Sequence, residues 1–270
     1  MNLRRTIILL TILLGLAIIW ASCRGPETVY FDPGESMTPV PSEGMFPIIR
    51  SINERNNRIR SFECDVDMTI TVKLKFKAQG YLSHQKDNFF RLVASRRRVE
   101  MDVGSNPDHF WFWSRRMDPP SLYYCRHQFL NNSGLRTAFN PLWMMESLGI
   151  GQIDMENVQC HDVRGRRVLS QSRISSRNEP VIKRTVIDLK QNLVVGHYLC
   201  DKTGALMAST EVLAFQEVQG HIVPKTIQIL WHEENVSMLW QLQNVRVNHI
   251  IGPGVWRMPN KNTRVNLGTP

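Results

Sequence analysis

The sequence lacks the short motifs that identify most enzymes with a fixed catalytic or cofactor-binding loop. Its 270 residues contain no His-Glu-x-x-His zinc motif, no Gly-x-Ser-x-Gly nucleophile elbow, no phosphate-binding loop and no dinucleotide fingerprint. The eight histidines are scattered along the chain. A catalytic triad can assemble from distant residues, so these absences do not exclude every enzyme. We nevertheless expect a protein that is not an enzyme and that has no cofactor and no metal site.

Cysteine is also scarce, with five residues in the whole chain. Beyond Cys23, the four others are 61, 35 and 40 residues apart, which is not the spacing of a metal-ligand set: Cys64, Cys125, Cys160 and Cys200. In an oxidising compartment they could form two disulfides, with three possible pairings. We favour at least one disulfide and leave its partners open. The alternative is four small buried side chains.

A long apolar run is missing, but a short one stands at the start of the chain. Arg4 and Arg5 precede an apolar segment of about 16 residues, whereas a membrane-spanning helix needs about 20. The segment ends in Ala21-Ser22-Cys23, which resembles the lipobox of bacterial lipoproteins. The resemblance implies that residues 1–22 are a signal peptide and that Cys23 is acylated, for example with palmitate. The alternative is an uncleaved membrane anchor.

Acidic side chains are fewer than basic ones, 24 against 33, and the formal net charge is +9. Without Arg4 and Arg5 the charge is still +7. A basic protein beyond the inner membrane is expected to face anionic lipid headgroups or lipopolysaccharide. No nucleic-acid-binding signature is present, so we expect no nucleic acid partner. Arg24 rather than Asp follows Cys23, which by the usual sorting rule favours the outer membrane over the inner one.

The segment 23–42 is rich in proline, glycine and serine, and this composition predicts a flexible tether. An amphipathic helix is predicted over Ser42–Arg60. Its apolar residues recur at helical spacing on one side: Met45, Ile48, Ile49 and Ile52. A second, largely apolar helix is predicted over Asn140–Leu148, with Pro141 at its first turn.

The rest of the chain has the period of two that is typical of β-strands. Apolar and polar residues alternate from Cys64 to Lys77, which predicts one long half-buried strand. Shorter strands separated by turn residues follow as far as Val247. The predicted fold is mainly β with α: about 11–12 strands in one strongly curved antiparallel sheet, an incomplete β-barrel with helices packed in its concave face. This domain covers residues 43–250, and 251–270 form a partly ordered tail.

The order of these elements resembles the LolA/LolB-like lipoprotein carrier family, and within it the lipidated, LolB-like outer-membrane lipoproteins. The likeness rests on Asn88-Phe89-Phe90-Arg91-Leu92, on the aromatic strand within 102–113, and on the later hairpin 206–231. It implies an incomplete barrel whose apolar cavity accepts acyl chains. The arginine that helps to close the cavity in LolA has no matching position in this chain.

Within that frame, two sets of candidate site residues follow. Apolar residues of the resembling strands and of the second helix are expected to line the cavity: Phe90, Leu92, Phe110, Trp111, Phe112, Trp113, Leu142, Trp143 and Met144. Strand alternation places the two phenylalanines of 110–113 on one face and the two tryptophans on the other, where they meet another layer or a membrane interface. Basic clusters near strand ends are candidate headgroup contacts: Arg96, Arg97, Arg98, Arg115 and Arg116.

The predicted function is therefore that of a periplasm-facing, lipid-anchored monomer. It would bind acyl chains of membrane lipids or lipoproteins, and could exchange them with a periplasmic carrier. The alternative function is that of a structural or assembly lipoprotein with the same sheet and a filled core.

Overall fold

The structure is a computed structural model that describes residues 38–268, except 87–88, 133–145, 147, 176–178 and 234. The described residues contain one α-helix, α1 (Ser42–Asn57), and two 3₁₀ helices, His127–Asn132 and Pro253–Trp256. Their fifteen strands are β1 (Thr38–Pro39), β2 (Ser61–Thr71), β3 (Lys75–Gln85), β4 (Phe89–Ser95), β5 (Val99–Ser105), β6 (His109–Ser114), β7 (Leu122–Arg126), β8 (Gln159–Val163), β9 (Arg166–Ile174), β10 (Pro180–Asp188), β11 (Leu193–Asp201), β12 (Leu206–Val218), β13 (His221–Trp231), β14 (Val236–Val247) and β15 (Arg264–Asn266).

All fifteen strands belong to one sheet, built from two consecutive meanders. The strands β2 to β7 pair with their neighbours in sequence, and so do β8 to β14. The meanders join where β14 lies antiparallel to β2. Short strands stand at the two edges, β1 beside β8 and β15 parallel to β7. The edges do not pair with each other, so the sheet is open, which confirms the predicted incomplete, antiparallel sheet.

The period of two in the sequence places most of the large buried side chains on one side of this sheet. Along β4, Phe90, Leu92 and Ala94 are buried and alternate with half-buried residues. Cross-strand pairing carries the same face through Leu82 and Met68 to Trp240 and Ile227. We call this side the apolar face, because these residues belong to one continuous hydrophobic cluster.

The helix α1 packs on the apolar face at the other end of the strand order. Met45, Ile49 and Ile52 are buried against strands β8 to β11, in contact with Leu169 and Ile187. The helix is also fixed by polar contacts. The guanidinium of Arg167 forms two bonds to the Asp162 carboxylate, at 2.8 and 2.9 Å, and donates to the Gly44 carbonyl at 2.7 Å. The second predicted helix, Asn140–Leu148, lies almost wholly outside the described residues.

The prediction of one long strand over Cys64–Lys77 is wrong. The chain reverses at Val72-Lys73-Leu74, so the run is shared between β2 and β3. The two strands form a hairpin in which Thr71 pairs with Lys75 next to the turn and Ser61 pairs with Gln85 at the open end. Alternation continued through the turn because Val72 and Leu74 are apolar although they are exposed. The turn was expected further along, at Gly80, which instead lies within β3. The described residues contain fifteen strands rather than the expected 11–12, and two of them are the short edge strands β1 and β15.

The cysteines beyond residue 23 are four separate buried thiols: Cys64, Cys125, Cys160 and Cys200. The favoured disulfide is therefore a wrong prediction, and the alternative of small buried side chains holds. Each thiol is buried within a strand, and that of Cys200 accepts a hydrogen bond from the Arg184 guanidinium at 3.8 Å. Burial disfavours the thiolate at all four positions. Burial raises the pKa of Cys125 to about 11.

The C-terminal segment 248–268 crosses the face opposite the apolar one before its end, at Leu267, packs against the apolar cluster. The guanidinium of Arg91 on β4 donates to the Val255 carbonyl at 2.8 Å, and the Phe89 and Trp256 rings lie 5.1 Å apart. Further along, β15 pairs with β7. We call this segment the C-terminal strap. Among the described residues, no helix has the length and hydrophobicity to span a bilayer.

Candidate functional site

Four of the predicted lining residues lie side by side on the apolar face. On β5, Ser105 pairs with Phe90 of β4 on one side and with Phe110 of β6 on the other. Val103 pairs in the same way with Leu92 and Phe112. Phe90, Leu92 and Phe110 are fully buried, whereas Phe112 is half-buried at the border of the cluster. Leu142, Trp143, Met144 and Cys23 lie outside the described residues.

Trp111 and Trp113 lie on the opposite face, as strand alternation predicts. They form a small cluster with Leu122 that Met258 of the C-terminal strap covers. The Trp111 indole donates to Asp102 at 3.1 Å, and the same carboxylate receives two bonds from the Arg91 guanidinium. The strap adds Lys261, whose ammonium lies 3.7 Å from the centre of the Trp113 ring. The predicted lining set is therefore divided between two faces of the sheet.

Half-buried apolar side chains mark one end of the apolar face. They pack against its core and lie at the ends of β3, β5 and β14: Phe76, Met101, Val236 and Met238. The register places Met238 beside Ile70, and Ile70 beside Phe76. We call these four residues the apolar rim. Each keeps part of its surface in water, so the rim can take up a further apolar group without opening the core.

Strand direction brings the predicted headgroup residues to this same end. Arg96, Arg97 and Arg98 form the exposed β4–β5 turn, and Arg115 and Arg116 follow β6. The Arg116 guanidinium lies 4.3 Å from the centre of the Phe76 ring, so it touches the apolar rim. The guanidinium groups of Arg116 and Arg98 lie 4.0 Å and 3.9 Å from the Glu100 carboxylate.

The β2–β3 hairpin adds three lysines, which sequence reasoning missed as site residues: Lys73, Lys75 and Lys77. All three are exposed. We call them, together with the five arginines, the basic end. Alternation along the run Cys64–Lys77 had placed these lysines on the polar side of one strand. Their gathering with the arginines depends on the reversal at 72–74.

The tip of this hairpin is apolar and projects into solvent. Leu74 is 79% exposed and Val72 is 48% exposed, with Lys73 between them. Val99, the first residue of β5, is 37% exposed. Scattered exposed apolar residues are normal on a protein surface. Two of them on one projecting turn, with Lys73 between them, form a small exposed apolar tip next to the basic end.

A second polar site lies between the segment after residue 146 and strands β9 to β11. The Lys183 ammonium on β10 forms a 2.6 Å salt bridge with Glu146. Beside it, the imidazole of the half-buried His197 lies 3.2 Å from the Thr185 hydroxyl. Burial lowers the pKa of His197 to about 3, with a further lowering by the Lys183 charge. The site encloses only about 20 Å³, room for about one water molecule, so it fastens the segment rather than binding a ligand.

Neither site has the composition of a metal centre. Within the described part of the chain, no group of His, Cys, Asp and Glu side chains is arranged to hold a metal ion.

Comparison with known proteins identifies the fold. No family model matches the sequence, and no curated protein matches it. Solved structures do match: a DUF1329 family protein from Desulfovibrio piger is 11% identical, with a TM-score of 0.56 over 82% of this chain and 98% of that one. A domain described as an outer membrane lipoprotein-sorting protein, from Vibrio parahaemolyticus, is 11% identical, with a TM-score of 0.54 over 78% and 94%.

A LolA superfamily protein from Nitrosomonas europaea is 9% identical to this chain, with a TM-score of 0.51 over 78% of this chain and 97% of that one. The class that these likenesses define is that of LolA-like folds. The resemblance found in the sequence is therefore confirmed at the level of the fold.

Proposed function

We propose that this protein is a lipid-anchored envelope protein that binds acyl chains of membrane lipids or lipoproteins at its apolar rim. Cys23 would carry the anchor after removal of residues 1–22, and the domain would act as a monomer facing the periplasm at the outer membrane. The observation that carries the proposal is that the apolar rim, the basic end and an exposed apolar hairpin tip all lie at one end of a LolA-like sheet.

The energetics of this end favour a membrane surface. Burying a leucine-sized side chain contributes about 1.5–3 kcal/mol. Each Lys or Arg near an anionic surface adds about 1 kcal/mol. With eight cations around the tip, these terms together would hold this end against anionic lipid and bring the rim to the level of the acyl chains.

Acyl binding can be tested by photo-crosslinking. The full-length protein is reconstituted in vesicles that contain a palmitate analogue with a diazirine on its chain, and the crosslinked residues are mapped by mass spectrometry. We expect crosslinks at the rim, because its side chains are half open to an incoming chain. Met238→Gln should reduce them several-fold, whereas Met258→Gln, a matched change on the opposite face, should leave them unchanged.

The alternative of a structural lipoprotein with a filled core is favoured by one observation. Phe90, Leu92 and Phe110, three of the predicted lining residues, are already fully packed in the core. Absence of rim crosslinks in a correctly folded, membrane-anchored protein would support that alternative and contradict acyl binding.

Membrane contact can be tested by hydroxyl-radical footprinting of the same reconstituted protein. Oxidation of Leu74 should fall several-fold on vesicles that contain phosphatidylglycerol, relative to phosphatidylcholine alone, and should recover at high salt as the charges are screened. Ile250 is the internal control. It is 96% exposed and lies beyond the opposite ends of β2 and β14, where Asn248 bonds to Ser61. Equal oxidation of Leu74 on both vesicles would refute the contact.

A further inference from the structure

A polar cleft of about 370 Å³ lies beside the basic end, on the face opposite the apolar one. Its floor is a row of paired residues across three strands: Gln241 on β14, Asp67 on β2 and Gln79 on β3. Thr69 and Lys77 form the next row towards the hairpin tip, and Arg96 closes the cleft from the β4–β5 turn. Arg96 is one of the headgroup contacts predicted from the sequence, but no sequence pattern indicates the cleft.

The cleft contains two cations and one anion that do not pair with each other. Within the described part of the chain, Lys77, Arg96 and Asp67 form no salt bridge with one another or with any other residue. The Asp67 carboxylate instead accepts bonds from the side-chain amides of Gln243, at 2.8 Å, and Gln79, at 3.4 Å. These neutral donors orient the carboxylate but leave its charge uncompensated, and they leave further lone pairs for a ligand.

The charges decide which ligand the cleft fits. A plain phosphate would be attracted by Lys77 and Arg96 but repelled by Asp67. A plain ammonium would be attracted by Asp67 but repelled by Lys77 and Arg96. A ligand that carries both charges a few ångströms apart can pair with all three side chains, and charge-assisted hydrogen bonds of this kind are the strong ones.

We propose that this cleft binds a phosphoethanolamine headgroup, with the phosphate on Lys77 and Arg96 and the ammonium on Asp67. The inference rests on the proposed membrane contact, because the cleft opens at the end that would face the lipid. It adds the class of headgroup that the protein selects. The Gln79 amide, which uses one N–H on Asp67, has a second N–H that can donate to a phosphate oxygen.

The test is a calorimetric titration of the full-length protein in a neutral detergent. The probes are glycerophosphoethanolamine, glycerol phosphate, ethanolamine and inorganic phosphate. We expect the zwitterion to bind tighter than any of the others by on the order of tenfold, which corresponds to about 1.4 kcal/mol for the additional ion pair. Tighter or equal binding of inorganic phosphate would overturn the proposal, as would absence of binding by the zwitterion.

Two variants assign the charges. Asp67→Asn should abolish the preference for the zwitterion while glycerol phosphate still binds, and Arg96→Gln should weaken both phosphate esters. The matched controls are Asp65→Asn, two residues along the same strand, and Lys225→Gln, on β13. Both residues are exposed and lie outside the cleft. If Asp67→Asn keeps the preference, the assignment of the ammonium to Asp67 is wrong.

Lipid and soluble sources of the headgroup are distinguished with vesicles. Protein that selects the lipid should protect Gln79 and Gln241 from hydrogen exchange at their side-chain amides on vesicles containing phosphatidylethanolamine, but not on phosphatidylcholine alone. Equal protection would overturn the lipid assignment. This result is independent of Leu74 oxidation: if soluble zwitterion binds but Leu74 stays oxidised on anionic vesicles, the membrane contact fails and the cleft remains.

Discussion

At the scale of single residues, the aromatic strand β6 shows what alternation fixes and what it leaves open. The period of two in the sequence was enough to separate the phenylalanines of 110–113 from the tryptophans. It did not reveal that Asp102 holds both the Trp111 indole and the Arg91 guanidinium, because these partners come from three different strands. Cross-strand polar contacts depend on register, and register is set by turns and bulges that short patterns do not specify.

Gly104 is required by this arrangement. A Cβ added at this position would lie 2.1 Å from the Trp111 ring, which is itself fully buried. Gly104→Ala should therefore lower the free energy of unfolding by about 1–3 kcal/mol or more, because the indole must leave its packed position. Urea denaturation followed by Trp fluorescence measures the change.

The matched control for that substitution is Gly252→Ala. Gly252 has a φ of −62°, and nothing lies within 4 Å of an added Cβ, so alanine fits its backbone. This variant should be as stable as the native protein or slightly more so. A Gly104→Ala protein of native stability would show that Trp111 is not confined as described.

At the scale of elements, the β2–β3 hairpin is where the structure departs most from the sequence prediction, because its turn lies inside the run predicted as one strand. Turns are usually marked by Gly, Pro, Asn or Asp, and Val72-Lys73-Leu74 contains none of them. Apolar residues in the turn preserved the alternation, so the reversal was expected at Gly80, several residues too late. The unusual composition of the turn is also what makes it a candidate membrane contact. Sequence that breaks a local rule often lies at a functional site.

The helix α1 was predicted well, because its apolar side repeats at the period of a helix. Ile49 is fully buried against the sheet, whereas Phe46 on the same helix is 42% exposed. Ile49→Ala should lower the free energy of unfolding by about 2–5 kcal/mol, through lost burial and the cavity left behind. Phe46→Ala should change it by less than about 0.5 kcal/mol. Thermal and urea unfolding of the two variants gives the comparison, and similar losses would show that α1 does not pack as described.

At the scale of the whole molecule, the sequence predicted what depends on neighbours in the chain. Each hairpin of the two meanders joins strands that follow one another, and turn residues mark most of those joints. The pairing of β14 with β2 and the edge strands β1 and β15 were not predictable, because their partners are remote in sequence. The open sheet was nevertheless expected, since so many strands curl rather than lie flat. The basic end likewise becomes visible only when three separate segments are brought together: the β2–β3 hairpin, the β4–β5 turn and the residues after β6.

The junction between the meanders has a consequence for how the protein is made. Thr69 pairs with Leu239, so a central seam of the sheet joins residues 170 positions apart. A chain that folds from its N-terminus would complete six strands while the long strand β2 still exposed an unpaired backbone edge. Contacts between such distant segments form slowly. Until the last hairpin arrives, the nascent molecule would be at its most vulnerable to aggregation and proteolysis.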